Sequence, residues 1–220
     1  MTAVLLILTA VICYMLGCFS GIRLISGPVL HTDLRTQGNG KETMANFIRC
    51  HGIGWAAGAV LIDMAKTVVA VLLGALLMKI PGDGYPVVGK LFAGFCVTLG
   101  HCYPLPRQFH GGKGVECMAV TLWLADWRVG LVATVIYILL LVFSQYASLA
   151  AVIAAASSCF LCWIFVDKTD LKGLAGLLAM FSALAVLWRF RGNIRRLILH
   201  REPKIRLGKQ PDRMLRDDRF

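Results

Sequence analysis

The stretch of residues 53–78, IGWAAGAVLIDMAKTVVAVLLGALLM, contains only two charged side chains in 26 positions. A bilayer core of about 30 Å is crossed by about 20 residues of α-helix. The stretch therefore predicts a transmembrane helix. Its charges, Asp63 and Lys66, are three residues apart and share one helix face. Because charges at this depth usually pair or face the protein interior, we interpret them as a structural pair rather than as reacting groups.

The rest of the chain has the same character. Of 220 residues, 58% are hydrophobic and only 16% are charged, whereas about a quarter are charged in a soluble domain. Apolar runs recur along the whole length, which predicts an all-α polytopic integral membrane protein without a separate soluble domain. The N-terminal run lacks the basic start and cleavage site of a signal peptide, so we interpret it as a retained first span. We expect one transmembrane domain over residues 1–196 and a basic tail over 197–220.

Seven transmembrane spans are predicted. The fourth and fifth are short for a bilayer, and they represent tilted helices, broken helices or one long span. The eight cysteines fall mostly inside apolar runs and match no disulfide or zinc pattern, so we interpret them as small packing residues. The spans are about Val4–Ile25, Ile53–Met78, Val87–Tyr103, Val115–Ala125, Val129–Phe143, Tyr146–Val166 and Leu171–Arg189.

Lysine and arginine are distributed unequally between the two sides of these spans. Seventeen lie on the side of the C-terminal tail, five on the opposite side and one, Lys66, within a span. Because basic residues accumulate in cytoplasmic loops, this distribution places the tail in the cytoplasm and the N-terminus outside. A basic segment beside a span is typical of contact with anionic lipid headgroups, and no nucleic-acid motif accompanies it. We therefore expect membrane lipid, and not nucleic acid, as a partner.

Three polar segments are predicted on the cytoplasmic side. The first, residues 33–49, contains a Gly-Asn-Gly turn followed by a lysine and a short helix. Such a turn presents consecutive backbone donors to an anion, although an ordinary solvated loop has the same composition. The residues of interest in it are Gly38, Asn39, Gly40 and Lys41.

The second polar segment, residues 100–116, ends in HGGKGVE. Three glycines enclose Lys113 at the start of a helix, where free N–H groups and the helix dipole favour a phosphate. The segment is not a Walker A loop, because it lacks the first glycine and the serine or threonine after the lysine. His101 is interpreted either as a ligand or acid–base group or as a structural residue that caps the span. The glycines are Gly111, Gly112 and Gly114.

The third polar segment, residues 188–197, leaves the last span as WRFRGNIRRL. Arg191 and Asn193 are placed to reach a bound phosphate, whereas Arg195 and Arg196 are interpreted as contacts to lipid headgroups. The acidic residues near the three segments form no recognisable ligand cluster, so neither a metal nor a cofactor is expected.

In this order, the segments resemble the bacterial acyl-phosphate:glycerol-3-phosphate acyltransferase family. The resemblance extends from the first span to about Lys204 and includes the pair of Asp63 and Lys66 and the YASLA stretch that contains Ser148. The second segment is the most specific match. Its matching residues are Gly100, His101, Pro104, Phe109, Gly111, Gly112, Lys113, Gly114 and Val115.

Two motifs of this family are altered in the chain. The first motif has lost its serine, its first asparagine, its second glycine and its threonine. In the third motif, Phe190 replaces the histidine of His-Arg-x-Asn. The replacements in the first motif are Asn39, Lys41, Thr43 and Ala45.

The resemblance implies transfer of an acyl group from acyl phosphate to the 1-position of glycerol 3-phosphate, which gives lysophosphatidic acid for phospholipid synthesis. It implies a multi-pass enzyme of the bacterial plasma membrane, expected to be a monomer, with its active site on the cytoplasmic face. The altered motifs support a second hypothesis, a catalytically silent relative that binds a phosphorylated lipid or precursor. A third, a small-solute transporter, is disfavoured because the sequence shows no internal repeat.

The motif matches and the chemistry of the segments together predict three sets of residues. The residues expected to act in catalysis are Lys113, Ser148, Asn193 and Asn39. Those expected to bind substrate phosphates are Gly38, Gly40, Lys41, Asn46, Arg49, Gly111, Gly112, Gly114 and Arg191. Those expected to have structural or supporting roles are Asp63, Lys66 and His101.

Overall fold

The computed structural model of the chain describes residues 2–38, 40, 42–80, 86–166 and 172–204. Within these ranges the regular secondary structure is helical and includes no strand, which confirms the all-α prediction. A short 3-10 turn, Leu105–Arg107, follows the fifth helix. The α-helices are α1 (Thr2–Cys18), α2 (Gly21–Ser26), α3 (Met44–His51), α4 (Ile53–Leu77), α5 (Pro86–Cys102), α6 (Val115–Ala125), α7 (Trp127–Ser144), α8 (Ala147–Phe165), α9 (Lys172–Arg189) and α10 (Arg191–Ile198).

Helices α4 to α9 begin and end within two residues of the predicted second to seventh spans. The open question about the fourth and fifth spans is decided at Asp126, which separates α6 from α7. Its backbone is extended, with φ of −152°, and its side chain accepts a hydrogen bond of 2.8 Å from the Arg128 N–H. This N-cap starts a new helix, so the two spans are not one long helix.

Within the predicted first span, Val4–Ile25, the helix is not continuous, because it breaks at Phe19 and Ser20. Lys66 of α4 donates to the carbonyl oxygen of Gly17 at 3.2 Å and to that of Phe19. On the other side of the break, the Gly21 N–H donates to Asp63 Oδ1 at 3.1 Å. The pair on α4 thus satisfies the backbone groups that the break exposes, which apolar composition does not reveal.

Among the residues that the structure describes, three helices are long and apolar enough to cross a membrane by themselves: α4, α7 and α8. The number rises to four if residues 173–189 and 191–198, which bend by 62° at Phe190, count as one span. Helices α1 and α6 are apolar but shorter. These lengths agree with a membrane protein, while the count of seven spans stays a prediction.

Helix α5 lies at the centre and packs against α1, α4, α6 and α9. Its glycines let the backbones of neighbouring helices approach very closely. A Cβ added to Gly89 would lie 2.4 Å from the carbonyl oxygen of Gly74, and a Cβ added to Gly100 would lie 2.1 Å from the carbonyl oxygen of Tyr14. Small residues at such contacts let helix backbones approach closely, and the resulting van der Waals packing favours helix association in a membrane. This packing brings the end of α5, the start of α6 and the end of α9 to the same end of the molecule.

Candidate active site

The loop of residues 110–114 packs directly on the end of α5. The Gly112 N–H donates to the His101 carbonyl oxygen at 3.0 Å, and a Cβ on Gly112 would lie 1.9 Å from His101 Nε2. A Cβ on Gly111 would lie 2.1 Å from the same carbonyl oxygen. Gly114 has a φ of 75° at the N-cap of α6, which favours glycine. Close packing therefore requires these glycines, and the Gly112 N–H is not free to bind an anion.

Arg189, at the end of α9, holds this loop, and the sequence reasoning did not select it. Its Nε donates to the Gly112 carbonyl oxygen at 3.0 Å and its Nη2 to that of Gly111. Its guanidinium carbon lies 5.6 Å from the centre of the Tyr103 ring. The available signal was a basic residue inside the third polar segment, at the end of the last predicted span.

Lys113 extends from this loop over a buried ring, with its Nζ 4.5 Å from the centre of Phe190. Partial desolvation lowers the pKa of the Lys113 ammonium group, and the nearby charge of Arg196 lowers it further, while Glu202 and Glu116 oppose the shift. An ammonium group in this position gains from a bound anion, because the anion restores the charge balance.

Glu202, which follows α10, folds back toward Lys113 and was also not selected from the sequence. Asn193 Nδ2 donates to its Oε1 at 2.6 Å, and Arg196 Nε donates to its Oε2 at 2.8 Å. Its side chain is only 6% exposed. Burial would raise the pKa of Glu202, but the groups of Asn193, Ser148 and Arg196 hold that pKa below its usual range. An ionised carboxylate thus lies where a substrate anion was expected.

Ser148 lies in the first turn of α8 and is 4% exposed. Within the described residues, its hydroxyl has no hydrogen bond of ordinary geometry, although it is near enough to Glu202 to affect that carboxylate. A buried hydroxyl without a partner is unfavourable, so Ser148 suits contact with a bound group. We call Lys113, Ser148, Asn193 and Glu202 the Lys113 region.

The first polar segment is organised by Asn46, which is fully buried. Asn46 Nδ2 donates to the Gln37 carbonyl oxygen at 3.1 Å. Gly38, with φ of 59°, passes so close that a Cβ would lie 2.1 Å from Asn46 Oδ1. Asn46 therefore shapes the turn from inside. Asn39 and Lys41, for which catalytic and phosphate-binding roles were predicted, lie outside the described residues.

Arg49 and Arg191 occupy different surroundings from Lys113. Arg49 lies on the exposed side of α3. The guanidinium carbon of Arg191 lies 5.2 Å from the centre of the Trp188 ring, and its Nη1 donates to the Trp188 carbonyl oxygen at 3.4 Å. The structure thus brings Arg189, rather than Arg191, to the glycine loop.

A polar cavity of about 630 Å³ lies beside the same loop. We call it the arginine pocket, because four of its described lining residues are arginines and one is a glutamate. Its volume is within the usual range of about 300–1,000 Å³ for ligand sites. The lining residues used below are Arg23, Arg35, Glu42, Arg107, Gly111 and Arg189, and the predicted residue Gly40 also lines the cavity.

An apolar groove of about 400 Å³ opens between α4, α6, α7 and α8. It begins at Val115 and Glu116, directly after the glycine loop, and reaches Leu122 farther along α6. Tyr137 of α7 and Ala151 of α8 form part of its opposite walls. A groove of this kind suits a hydrocarbon chain whose polar end lies near Lys113.

Asp63 and Lys66 form a buried network with His101. Lys66 Nζ lies 2.6 Å from Asp63 Oδ1 and 3.0 Å from His101 Nδ1. On the other side of the ring, His101 Nε2 lies 3.0 Å from Glu116 Oε1, although at an angle outside ordinary hydrogen-bond geometry. The network joins the break in the first span to the glycine loop, which suits the structural role proposed for it.

Among the described residues, His101, Glu116 and Cys117 place potential metal ligand atoms within 4.8 Å of one another. Sequence reasoning did not find this group. Both ring nitrogens of His101 lie against charged groups of the structural network, Nδ1 at 3.0 Å from Lys66 Nζ and Nε2 at 3.0 Å from Glu116 Oε1. Because an ammonium group beside the ring opposes the binding of a cation, the arrangement fits a metal poorly.

Taken together, the fold and the site define a helical membrane protein with a basic surface at one end of its helices and an apolar groove beside it. A family model described as "Glycerol-3-phosphate acyltransferase" matches residues 7–200. Relatives of that name include one from Ruegeria pomeroyi, 37% identical over 204 residues, or 92% of this chain and 94% of the relative. Another, from Shouchella clausii, is 37% identical over 213 residues, or 93% and 97%.

The fold is similar to that of PlsY, described as an integral membrane glycerol 3-phosphate acyltransferase. The crystal structure of its glycerol 3-phosphate form aligns with a TM-score of 0.73 and 24% identity, over 91% of this chain and 96% of that chain. The chain belongs to the glycerol-3-phosphate acyltransferase family. It is an integral membrane enzyme of phospholipid synthesis, as the resemblance predicted.

Proposed function

We propose that this protein uses acyl phosphate as the donor and glycerol 3-phosphate as the acceptor. The 1-hydroxyl oxygen of the acceptor bonds to the acyl carbon, the bond from that carbon to the phosphate oxygen breaks, and lysophosphatidic acid and inorganic phosphate form. The departing phosphate takes the hydroxyl proton. Because acyl phosphate is already activated, holding the two anions together and neutralising charge supplies most of the catalysis.

The observation that carries this proposal is the apolar groove that begins immediately after the glycine loop. An acyl chain in the groove brings the acyl phosphate headgroup to Lys113. Ser148 and Asn193 then orient that headgroup, with Asn39 as a further catalytic contact. A further set of residues is proposed to contribute to phosphate binding, either directly or by shaping the loops. These residues are Gly38, Gly40, Lys41, Asn46, Arg49, Gly111, Gly112, Gly114 and Arg191.

We further propose the membrane arrangement that the basic residues predict. Seven spans place the N-terminus outside and the glycine loop and the C-terminal tail in the cytoplasm of a bacterium. The same arrangement places all three basic, glycine-containing segments on one side, where they can contact both phosphorylated substrates. We propose a monomer, in which all of these residues belong to one chain.

A direct assay tests the reaction. Protein purified into lipid, supplied with acyl phosphate and glycerol 3-phosphate, should form lysophosphatidic acid and release one phosphate for each product. Replacing acyl phosphate by an acyl thioester should abolish product formation if the activated phosphate is essential. Product formation from the thioester alone would exclude the proposed donor.

One observation favours a second candidate, the catalytically silent relative that binds a phosphorylated lipid. Glu202 already accepts hydrogen bonds from Asn193 and Arg196, which are then not free for a substrate. In addition, Phe190 replaces the histidine of the third motif. Restoring the family residues at the five altered positions separates the two. Activity only after restoration supports the silent relative, whereas activity of the unaltered chain excludes it. The changes are Asn39→Ser, Lys41→Asn, Thr43→Gly, Ala45→Thr and Phe190→His.

A further inference from the structure

The short helix α10 presents an outer face of cationic and apolar side chains beside the Lys113 region. We propose that this face binds the anionic phospholipid surface of the membrane and that the contact activates the enzyme by fixing Asn193 in place. This inference rests on the proposed function, because it assigns a regulation to the Lys113 region.

The outer face of α10 has the composition of a helix that lies in a membrane surface. Arg191, Arg195 and Ile198 are exposed and follow one another at intervals of four and three residues, so they share one side of the helix. Ile198 is 71% exposed, and Trp188, one turn before Arg191, is 64% exposed. Arginines among exposed aromatic and aliphatic side chains suit the boundary between lipid headgroups and acyl chains.

Aromatic residues at the two ends of α8 indicate the level of this boundary. Tyr146 directly precedes α8, and Lys204, which follows α10, has its Nζ 5.4 Å from the centre of the Tyr146 ring. Trp163 is exposed near the other end of α8, about 25 Å away at 1.5 Å of rise per residue. Tyrosine and tryptophan are enriched at both borders of a bilayer core of about 30 Å. Tyr146, and α10 beside it, therefore lie at one border.

The direction of α10 agrees with this level. The helix departs from α9 by 62° at Phe190, so it does not continue the line of the last span. Phe190 is 2% exposed, and Ile194 packs on the same core cluster, which fixes the inner side of α10. None of the residues of α10 is itself buried. Because a helix of eight residues is marginal in water, α10 gains stability from a surface that covers its outer side.

The two neighbouring arginines of α10 have different partners. The sequence predicted lipid headgroups as contacts of both Arg195 and Arg196. Arg196 Nε instead donates to Glu202 Oε2 at 2.8 Å and belongs to the site. In the part of the chain that the structure describes, no ion pair includes Arg191 or Arg195. The outer face thus carries two cations without a carboxylate partner, and anionic headgroups supply the complementary charge.

The same helix connects the lipid surface to the site. On the inner side of α10, Asn193 Nδ2 donates to Glu202 Oε1 at 2.6 Å. A lipid surface that holds the outer side restricts the motion of α10, so less conformational entropy is lost when Asn193 orients a substrate. Activity should therefore rise with the share of anionic lipid around the protein.

Activity in nanodiscs of defined composition tests this coupling. From pure phosphatidylcholine to about one third phosphatidylglycerol, the kcat/KM of the wild type should rise about threefold or more. Arg195→Gln should lose most of this rise while it retains its activity in pure phosphatidylcholine. The matched control is Lys79→Gln, which removes the same charge from an exposed residue after α4 and should retain the rise. An equal rise in Arg195→Gln and the wild type, or an equal loss in both variants, would overturn the proposal.

Two further measurements separate a membrane surface from a soluble anion. Ile198→Ser removes an exposed apolar side chain and should reduce the rise about twofold, because insertion into the acyl boundary contributes to the contact. Glycerophosphoglycerol, the soluble headgroup of phosphatidylglycerol, should not activate the enzyme in phosphatidylcholine. Full activation by this headgroup, with no effect of Ile198→Ser, would show a small-anion site instead.

Direct lipid binding distinguishes this inference from the proposed reaction. In native mass spectrometry from mixed micelles, the wild type should retain phosphatidylglycerol in preference to phosphatidylcholine, and Arg195→Gln should retain about fivefold less of it. If this preference is found but no lysophosphatidic acid forms in any lipid, the proposed reaction fails and the lipid-binding face stands. If lysophosphatidic acid forms without any lipid preference, the reaction stands and the inference is wrong.

Discussion

The Lys113 region and the arginine pocket share one glycine loop but differ in how their positive charge is balanced. In the Lys113 region, the buried carboxylate of Glu202 accepts hydrogen bonds from Asn193 and Arg196. In the arginine pocket, Glu42 pairs with Arg23 and Arg35 and leaves the other two arginines without a carboxylate among the described ion pairs. The net charge of +11 therefore does not locate an anion site; the positions of a few carboxylates do.

The largest effect is expected from Lys113→Ala. Loss of the only lysine in the glycine loop removes charge that stabilises the transferring group, so kcat/KM should fall by about 100-fold or more. Lysophosphatidic acid formation in lipid measures the change, and an unaltered melting temperature in detergent shows that the fold is intact. Full activity would place the donor phosphate elsewhere and remove the distinction between the two sites.

Gly112→Ala should disturb both sites, since the loop belongs to both. The added Cβ would lie 1.9 Å from His101 Nε2, so we expect destabilisation of about 1–3 kcal/mol and about tenfold lower activity. The matched control is Gly54→Ala in α4, where a Cβ meets nothing within 4 Å. Because Gly54 lies in the first turn of α4, that control should retain activity with little change in stability. Equal behaviour of the two variants would show that the loop is not closely packed on His101.

Glu202→Gln should make the charge balance of the Lys113 region more like that of the arginine pocket. Removing the charge that competes for Asn193 and Arg196 should lower the KM for acyl phosphate about threefold with little change in kcat. The KM for glycerol 3-phosphate should stay constant. A lower kcat at constant KM would instead assign Glu202 the role of positioning Asn193.

The smallest effect is expected in the pH profile. Desolvation lowers the pKa of Lys113, so its ammonium form is present below that lowered value and is lost as the pH rises through it. Activity should therefore decline at a lower pH than the value of about 10.4 for an ordinary lysine. Because Glu202 raises the pKa of Lys113, Glu202→Gln should move this decline to still lower pH. A decline at the same pH in both proteins would mean that Glu202 and Lys113 do not interact.

Most helices were predictable because a bilayer selects long apolar runs, which are a local property of the sequence. The boundaries of α4 to α9 follow from such runs. The break after Cys18 was not predicted, because the run around it is apolar, although the Ser20–Gly21 pair is a sequence signal for a turn. It depends on Asp63 and Lys66, which are far away along the chain and bind the backbone groups that the break leaves free.

The candidate site was predictable only as a set of segments. The glycines around Lys113 mark a tight loop, and the order of the three polar segments identifies the family. The directions of individual side chains did not follow from that order. Arg189 reaches the loop while Arg191, two residues later, stacks on Trp188, because the bend of 62° between α9 and α10 separates their directions.

The sequence by itself determined that this protein is a helical membrane acyltransferase with a basic, glycine-containing face, because apolar runs and short motifs are local features. Only the tertiary structure decided which cations share a site. Arg23, Arg107 and Arg189 come from separate parts of the chain and meet in one pocket, while Glu202 returns to Asn193. Electrostatic interactions act over a few ångströms, so their pattern depends on how helices rotate and pack, not on distance along the chain.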